Sequence, residues 1–585
     1  MDYSIKIGGE AGQGIQTIGD TLARVFSRSG LHVFAYQDYE SRIRGGHNFV
    51  QIRFSDKQVM APREAIDILV ALDKESISLH EKELSEHGQI IYDSSSLKQK
   101  HEKPYFLDIP FVNLAIEHGG NKIMANTVAT GAVLGMLKIN LDVLLEIIKD
   151  AFKKKGGDVI KANIKTAVAG HDYAVKQCVR CSFSMGANSD SAAQPKMLIA
   201  GAEAIGFGAV ASGCKFYSAY PMTPSTGIMN YLADKEKDYG IVVEQAEDEI
   251  AAINMALGAS FAGVRSMTGT AGGGFALMVE GLSLAGMTET PIVIALGQRP
   301  APATGLPTRT EQADLLFAIH TAHGEFPRII FSPGTPEQAF YLTNKAFDLT
   351  EKYQIPAFVL FDQYLADSEW TFEGFDLSKI RFNDYRIRGD EFKKLSEYKR
   401  HAFTDTGVSP LCIPGESKYL VVTDSDEHDE EGHIIEDAET RINMVQKRLL
   451  KKLPLIRQEI EPPFLYGSTK PEIVIVGWGS TYGVMKEAID LLSKEKDIAM
   501  LHFCEIYPFP LIGKTPSPLP KFDYLTLLNN AKLTICLENN ATGQFARLMR
   551  AETGYEFKYR INKYDGRPFT LEGLLEELNA NIGRL

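Results

Sequence analysis

Residues 241–270 read IVVEQAEDEIAAINMALGASFAGVRSMTGT, and this stretch decides the fold. The run opens on β-branched residues and passes through the acidic cluster Glu244, Glu247, Asp248 and Glu249. An apolar helical pattern then continues to Gly263, and VRSMTGT follows as a second short β-rich run. Short β-rich runs alternating with long apolar helical ones predict a mostly parallel sheet covered on both faces.

The same alternation extends outward from that unit. Upstream lie MLIAGAEAIGFGAVASG (197–213) and KFYSAYP (215–221); downstream lie TPIVIALGQ (290–298) and IPAFVLFDQ (355–363). Functional loops are expected at the C-terminal ends of such strands. YSIKIGG, LHVFAYQ, NFVQIRFS, AIDILVAL and GQIIYDSS read as strands of an earlier α/β block, with IQTIGDTLARVFSRSG as its first helix and LDVLLEIIKDAFKKK in a helix-rich tail. EIVIVGWGSTYGVMKEAIDLLSKE, IAMLHFCEIYPFP and LTICLENNATGQFARLMRAE form a third block. The expected organisation is an α/β domain over 1–182, a small-polar linker over 183–195, a second α/β domain over 196–375, a charged connector over 376–465 and a third α/β domain over 466–585. Within the connector, INMVQKRLLKKLPLIRQEI reads as an exposed helix.

A chain of 585 residues is too long for one hydrophobic core, which agrees with several domains. The 62 basic against 75 acidic side chains leave a formal charge of −13, which opposes nucleic acid and anionic membrane surfaces as partners. No apolar run approaches the ~18 residues of a membrane span and the N-terminus lacks a secretory pattern, so the cytoplasm is expected. Six dispersed cysteines fit a reducing compartment, and Cys178 and Cys181 of CVRC are expected as free thiols.

Several motifs bear on chemistry. GGEAGQG (8–14) and GWGSTYG (477–483) each follow a strand, and each suits either a tight turn or backbone contact with an anion. The acidic residues at 244–249 suit either ordinary helix-terminus electrostatics or a carboxylate held in an apolar pocket, where it can share a proton with a ring nitrogen. TGTAGGGFALM (268–278) offers a side-chain-poor backbone against which a flat ligand could lie. GQRPAPATGLPTRTEQADL (297–315) carries Arg299 and Arg309, each a planar fork suited to a carboxylate or phosphate. In YPMTP (220–224), Tyr220 and Thr223 each precede a proline and are held extended. Such a stiff turn would aim the Thr223 hydroxyl.

Taken in order, GGEAGQG, RIRGGHNFVQIRFSD, YPMTPST, EDEIAAINMALGASFAG, TGTAGGGFALMVEGL, GLPTRTEQADL, DSDEHDEEGH, GWGSTYG and ENNATGQ resemble the α subunit of 2-oxoacid:ferredoxin oxidoreductases, in the 2-oxoglutarate type with the γ domain fused N-terminally. The resemblance spans nearly the whole chain. It implies three α/β domains, the second of the thiamine diphosphate pyrimidine-binding type and the third like a transketolase C-terminal domain. It implies oxidative decarboxylation of a 2-oxoacid, foremost 2-oxoglutarate, with thiamine diphosphate and coenzyme A, yielding acyl-CoA, CO2 and two electrons for ferredoxin; the reverse, reductive carboxylation, is the same chemistry. Pyruvate, branched-chain or aryl-2-oxoacid specificity is the alternative, and a nucleotide-binding scaffold the non-catalytic one.

Position by position, the resemblance assigns ring activation to Glu249, with Glu247 as the fallback, and places Tyr220 and Pro221 at the cofactor. It assigns the substrate to Thr223, the substrate carboxylate to Arg309, and coenzyme A phosphates to Gly9, Gly12, Gly14, Arg42 and Arg44. Met222 stands where the family has isoleucine. No GDG stretch with paired asparagines and no cluster-type cysteine set occurs in the chain. Mg2+ and a [4Fe–4S] cluster are therefore expected in a β subunit, with αβ units paired again. No metal site is expected here. Asp424, Asp426, His428 and His433 read as a structural connector or subunit contact.

Overall fold

The computed structural model describes residues 1–42, 45–178, 183, 194–513 and 523–583; Arg44 and Cys181 lie outside them. Contacts divide the chain into two units. The first comprises Met1–Ile199 together with Ser368–Gly374 and Thr570–Leu575. Its sheet contains β1 (Asp2–Ala11), β2 (His32–Asp38), β3 (Gly45–Ser55), β4 (Ile66–Ala71), β5 (Leu84–Tyr92), β6 (Phe106–Asp108), β7 (Met197–Ala200) and β14 (Glu369–Phe372), in the order β6-β5-β4-β1-β3-β2-β14-β7. β1 runs parallel to β4 and antiparallel to β3.

Helix Ile15–Arg28 buries Ile15, Ile18, Leu22, Val25 and Phe26, the spacing of one helical face. Phe26 stacks on Phe54 of β3 at 4.0 Å between ring centres. The helix ends at Gly30, whose φ of 79° is the left-handed turn that glycine adopts without strain. Cys178, at the end of helix Gly157–Gln177, is disulfide-bonded. That overturns the free thiol expected for it.

The second unit comprises Ala200–Asp367, Phe375–Phe569 and Glu576–Leu585. Its larger sheet holds β8 (Phe216–Ala219), β9 (Val242–Gln245), β10 (Ser266–Ala271), β11 (Ile292–Gln298), β12 (Ile329–Phe331), β13 (Pro356–Asp362) and β18 (Glu505–Tyr507), ordered β18-β12-β13-β11-β10-β8-β9. Every pairing but that of β12 with β18 is parallel. A smaller sheet orders β15 (Phe464–Gly467), β16 (Ile473–Trp478), β17 (Ile498–Phe503), β19 (Leu533–Glu538) and β20 (Tyr559–Asn562) as β15-β17-β16-β19-β20. One apolar cluster joins Phe275 and Phe358 of the larger sheet's layer to Trp478, Phe503 and Phe545 of the smaller. The expected α/β class is the fold observed.

The connector departs from expectation. Its basic run forms helices Ala438–Val445 and Lys452–Glu459 joined by a π-helical turn, Gln446–Lys451. Lys447, Arg448 and Lys452 are buried rather than exposed. Lys447 and Lys452 pair with buried Glu289, and Arg448 forks onto Glu427 at 2.8 and 2.7 Å. Buried cations require such partners, and the partners sit in distant or acidic segments that helical periodicity does not register.

Candidate active site

The site is built where β8, β10 and β11 end, the edge of a parallel sheet at which loops converge. β8 stops at Ala219, and the chain turns through Tyr220–Ser225 before helix Thr226–Asp234. Tyr220 is exposed, while Pro221, Met222 and Thr223 are half-buried. The Met222 carbonyl accepts from both the Ser225 amide at 2.9 Å and its hydroxyl at 2.8 Å. The Thr223–Pro224 peptide is cis.

Arg299 leaves the end of β11 and donates through Nη1 to the Thr223 carbonyl at 2.7 Å. Its neighbour Gln298 is buried and accepts the Asp314 amide at 3.0 Å. Burial pushes the Asp314 carboxyl up to about 6, against the pull of the Arg299 charge. Glu311 is likewise pushed up to about 6 by burial, with the Asp314 charge adding to it.

Glu249 is the first residue of helix Glu249–Phe261, whose preceding Asp248 caps the Ala251 amide at 2.8 Å. That capping accounts for Asp248 as an ordinary N-cap. Glu249 itself is only 4% exposed, and its Oε1 has no hydrogen-bond partner. Glu247 and Glu244, by contrast, are exposed. The roof over Glu249 is Gly274: a Cβ there would stand 2.4 Å from Glu249 Oε1 and 2.2 Å from Thr270 Oγ1. At Gly272 a Cβ would come within 2.7 Å of Asp314 Oδ2. The absence of a side chain at Gly272 and at Gly274 is thus required by the groups packed against them, whereas a Cβ at Gly273 would have room, its nearest neighbour being the Ala303 carbonyl at 3.9 Å. A buried carboxyl oxygen without a donor carries a desolvation cost unless a donor is brought to it, from a ligand or from a neighbouring side chain that turns toward it.

Arg309 lies elsewhere in its loop. Its amide donates to the Leu306 carbonyl at 3.1 Å, and its stem packs on Gly566. Gln312, one turn on, ties the loop to the smaller sheet: its Nε2 donates to the Trp478 carbonyl at 2.9 Å and its Oε1 accepts the Asn539 amide at 2.9 Å. ENNATGQ owes its form to Glu538, which accepts the Phe545 and Ala546 amides at 2.8 and 3.0 Å at the start of helix Gln544–Thr553.

Gly9, Gly12, Gly14 and Arg42 sit in the first unit. Gly12 and Gly14 take φ of 92° and 82° in the turn before helix Ile15–Arg28, and Gln13 Oε1 occupies the space beside Gly9. Arg42 is exposed and pairs with Glu40 at 2.9 Å. In the connector, Asp424, Asp426, His428 and His433 do not converge: His428 is buried against the His401 ring at 4.0 Å, while His433 is exposed beside Asp429 and Glu431. Among the described residues, no group of three or more His, Cys, Asp or Glu is arranged to hold a metal, and no helix is long and apolar enough to cross a membrane.

Sequence pattern puts Arg299 in a polar loop without giving it the site; it marks the glycine run of 268–278 as a surface for a flat ligand, but assigns no role to the side chains of Thr270 or Asp314. The available signal is position: Arg299 directly follows a strand end, as Tyr220–Thr223 do.

Residues 207–447 match the family model described as pyruvate flavodoxin/ferredoxin oxidoreductase, thiamine diphosphate-binding, and residues 4–173 match that of pyruvate ferredoxin/flavodoxin oxidoreductase. The chain is 32% identical to the 2-oxoacid:ferredoxin oxidoreductase subunit alpha of a Sulfolobus species, over 99% of this chain and 96% of that one. It is 33% identical to the 2-oxoglutarate synthase subunit KorA of Methanocaldococcus jannaschii, over 53% of this chain and 82% of the relative. A solved structure of 2-oxoglutarate:ferredoxin oxidoreductase from Magnetococcus marinus, with 2-oxoglutarate, coenzyme A and succinyl-CoA bound, aligns at a TM-score of 0.89 and 30% identity, over 99% of each chain.

Proposed function

The chain belongs to the family of 2-oxoacid:ferredoxin oxidoreductase alpha subunits, and on that premise we propose that it takes 2-oxoglutarate to succinyl-CoA and CO2, using coenzyme A and passing two electrons to ferredoxin through a β subunit. The observation that carries this reading is the Glu249 carboxyl, buried at the start of its helix beneath the glycine turn Gly272–Phe275. It fits the pyrimidine ring of thiamine diphosphate, a flat group that presents an N–H once its ring nitrogen shares a proton. When bound, thiamine diphosphate supplies the carbon nucleophile and the electron sink for decarboxylation. Glu249 holds the ring proton. Glu247, being exposed, lacks the burial this role draws on.

Substrate recognition is assigned to Thr223 and Arg299. The backbone bond between them fixes the guanidinium beside the turn, leaving its other donors for a carboxylate fork. Arg309 is the competing assignment. The substrate choice is supported by the 2-oxoglutarate, coenzyme A and succinyl-CoA bound in the Magnetococcus protein and by the name of the Methanocaldococcus relative; pyruvate, branched-chain and aryl-2-oxoacids are the alternatives.

A β subunit is assigned the Mg2+-diphosphate half-site and the [4Fe–4S] cluster, as part of a dimer of αβ units. Helix Glu249–Phe261 supports a partner: beyond Glu249 it has no charged residue, yet Ile250, Met255 and Phe261 are exposed. A helix apolar on all sides is normally covered. Gly9, Gly12, Gly14 and Arg42 are proposed contacts for coenzyme A phosphates. Co-production with the β subunit should give viologen-dye reduction that depends on 2-oxoglutarate, coenzyme A and thiamine diphosphate. Absence of activity with every 2-oxoacid in a panel would overturn the reading.

A further inference from the structure

Glu249 has a neighbour that the proposed chemistry leaves unused. Thr270, near the end of β10 and just before the helical turn Gly272–Phe275, is fully buried, and its Oγ1 crowds the same point above Gly274 as Glu249 Oε1. The hydroxyl's one hydrogen bond runs to the adjoining Ala271 carbonyl at 3.3 Å, beyond the usual O–H···O range. A weakly held O–H rotor thus stands beside a carboxyl oxygen with no donor, inside a volume kept free of side chains.

We propose that Thr270 is a positioning residue for Glu249: on cofactor binding its hydroxyl turns from Ala271 to donate to Glu249 Oε1, leaving Oε2 to face the ring. The inference rests on the assignment of Glu249 to the pyrimidine. The two carboxyl oxygens then have different tasks. One is anchored by protein, the other meets the ligand. Without the anchor the carboxyl is free to rotate about its terminal torsion, which for Glu is broad and roughly two-fold, and the ring meets it in a mixture of orientations. A hydrogen bond to a charged group is among the stronger ones available in a protein, and a dry site strengthens it further.

Two features of the surroundings agree with this assignment. Thr270 shares its strand face with Thr268, whose Oγ1 is buried without a partner, and with Ser266, which donates to the Ala256 carbonyl at 2.7 Å. The hydroxyl row therefore lies along the helix that Glu249 begins. Gly274, for its part, leaves the space between Thr270 Oγ1 and Glu249 Oε1 clear, where a methyl group would not fit.

The test uses the assembled αβ complex and reads the rate at which the thiazolium C2 proton of bound thiamine diphosphate exchanges with D2O, alongside the cofactor's dissociation constant. Thr270→Val, which keeps the shape and removes the donor, should slow exchange about 10-fold with cofactor affinity nearly unchanged, and Thr270→Ser should restore it. Thr270→Ala serves where Thr270→Val does not assemble. Exchange at the parent rate in the donor-less variants overturns the proposal, as does failure of Thr270→Ser to rescue. So does a loss of cofactor affinity that accounts for the whole effect, since that marks a structural role. Glu249→Gln separates the two levels: exchange at the parent rate in that variant overturns the assignment of Glu249 itself, whereas slow exchange there with normal exchange in Thr270→Val overturns only the positioning role.

Discussion

Arg299, just past the end of β11, reaches across to hold the carbonyl of Thr223 in the turn that follows β8, a bond of 2.7 Å between segments leaving the same edge of the sheet. Replacing Arg299 by Lys keeps a charge but loses the fork. Steady-state kinetics of the complex should show kcat/KM for the 2-oxoacid falling about 10- to 100-fold, mostly through KM. The parallel Arg309→Ala variant should lose less, and the reverse ranking would return the carboxylate to Arg309.

At Gly274, one added methyl group must displace Glu249 or Thr270, since both stand within 2.4 Å of where it would be. Overpacking of this kind costs about 1–3 kcal/mol. Gly274→Ala is therefore expected to lower the thermal transition by a few degrees and to weaken thiamine diphosphate binding much more than that loss of stability explains. Calorimetric titration of the assembled complex checks it, and unchanged cofactor affinity would contradict the geometry of the roof.

The connector is anchored by Glu289, whose carboxylate is held well below its ordinary range by Lys447 and Lys452 despite the opposing effect of burial. Its partner His401 is kept neutral by burial, its pKa pushed down to about 2. Glu289→Gln leaves two buried ammonium groups without a counter-charge, a loss on the order of 3–5 kcal/mol. Denaturant unfolding followed by a probe in the connector should register it; a change below ~1 kcal/mol would show that the pairs behave as exposed ones.

His502 offers a pH prediction with a single group. It is fully buried, donates from Nε2 to the Gly479 carbonyl at 2.8 Å, and burial pushes its pKa down to about 4. Below the ordinary histidine value of about 6.5, the unfolded chain takes up a proton that the folded chain refuses. Stability from this group is thus complete above pH ~6.5 and declines as pH falls toward 4, by roughly 3 kcal/mol in all. His502→Gln should flatten that part of the stability profile; an unaltered slope between pH 6.5 and 4 would contradict it.

The strands and the parallel sheet were legible because period and residue type are local: VRSMTGT and PIVIALGQ look like buried strands wherever they occur. The choice between Glu247 and Glu249 was not, because both stand at one helix start and only the approach of Gly274, from the next βα turn, buries one of them. The same holds for Lys447 and Lys452. A helix with several basic residues reads as solvated until Glu289 is seen beneath it. Arg299 and Arg309 differ only in where the loop carries them, and loop paths are set by contacts such as Gln312 with Trp478 and Asn539.

The strand Glu369–Phe372 has a consequence for how the chain can be divided. Trp370 pairs with Phe34 of β2 in antiparallel register, and the Thr371 hydroxyl both accepts from the Val33 amide at 2.7 Å and donates to its carbonyl. Cutting after residue 199 would strip β2 of this neighbour and leave a row of open amides and carbonyls along a hydrophobic strand, the arrangement that invites self-association. The N-terminal unit is not one continuous stretch of chain, and a fragment meant to fold by itself must carry residues 368–374 back in as a tethered strand.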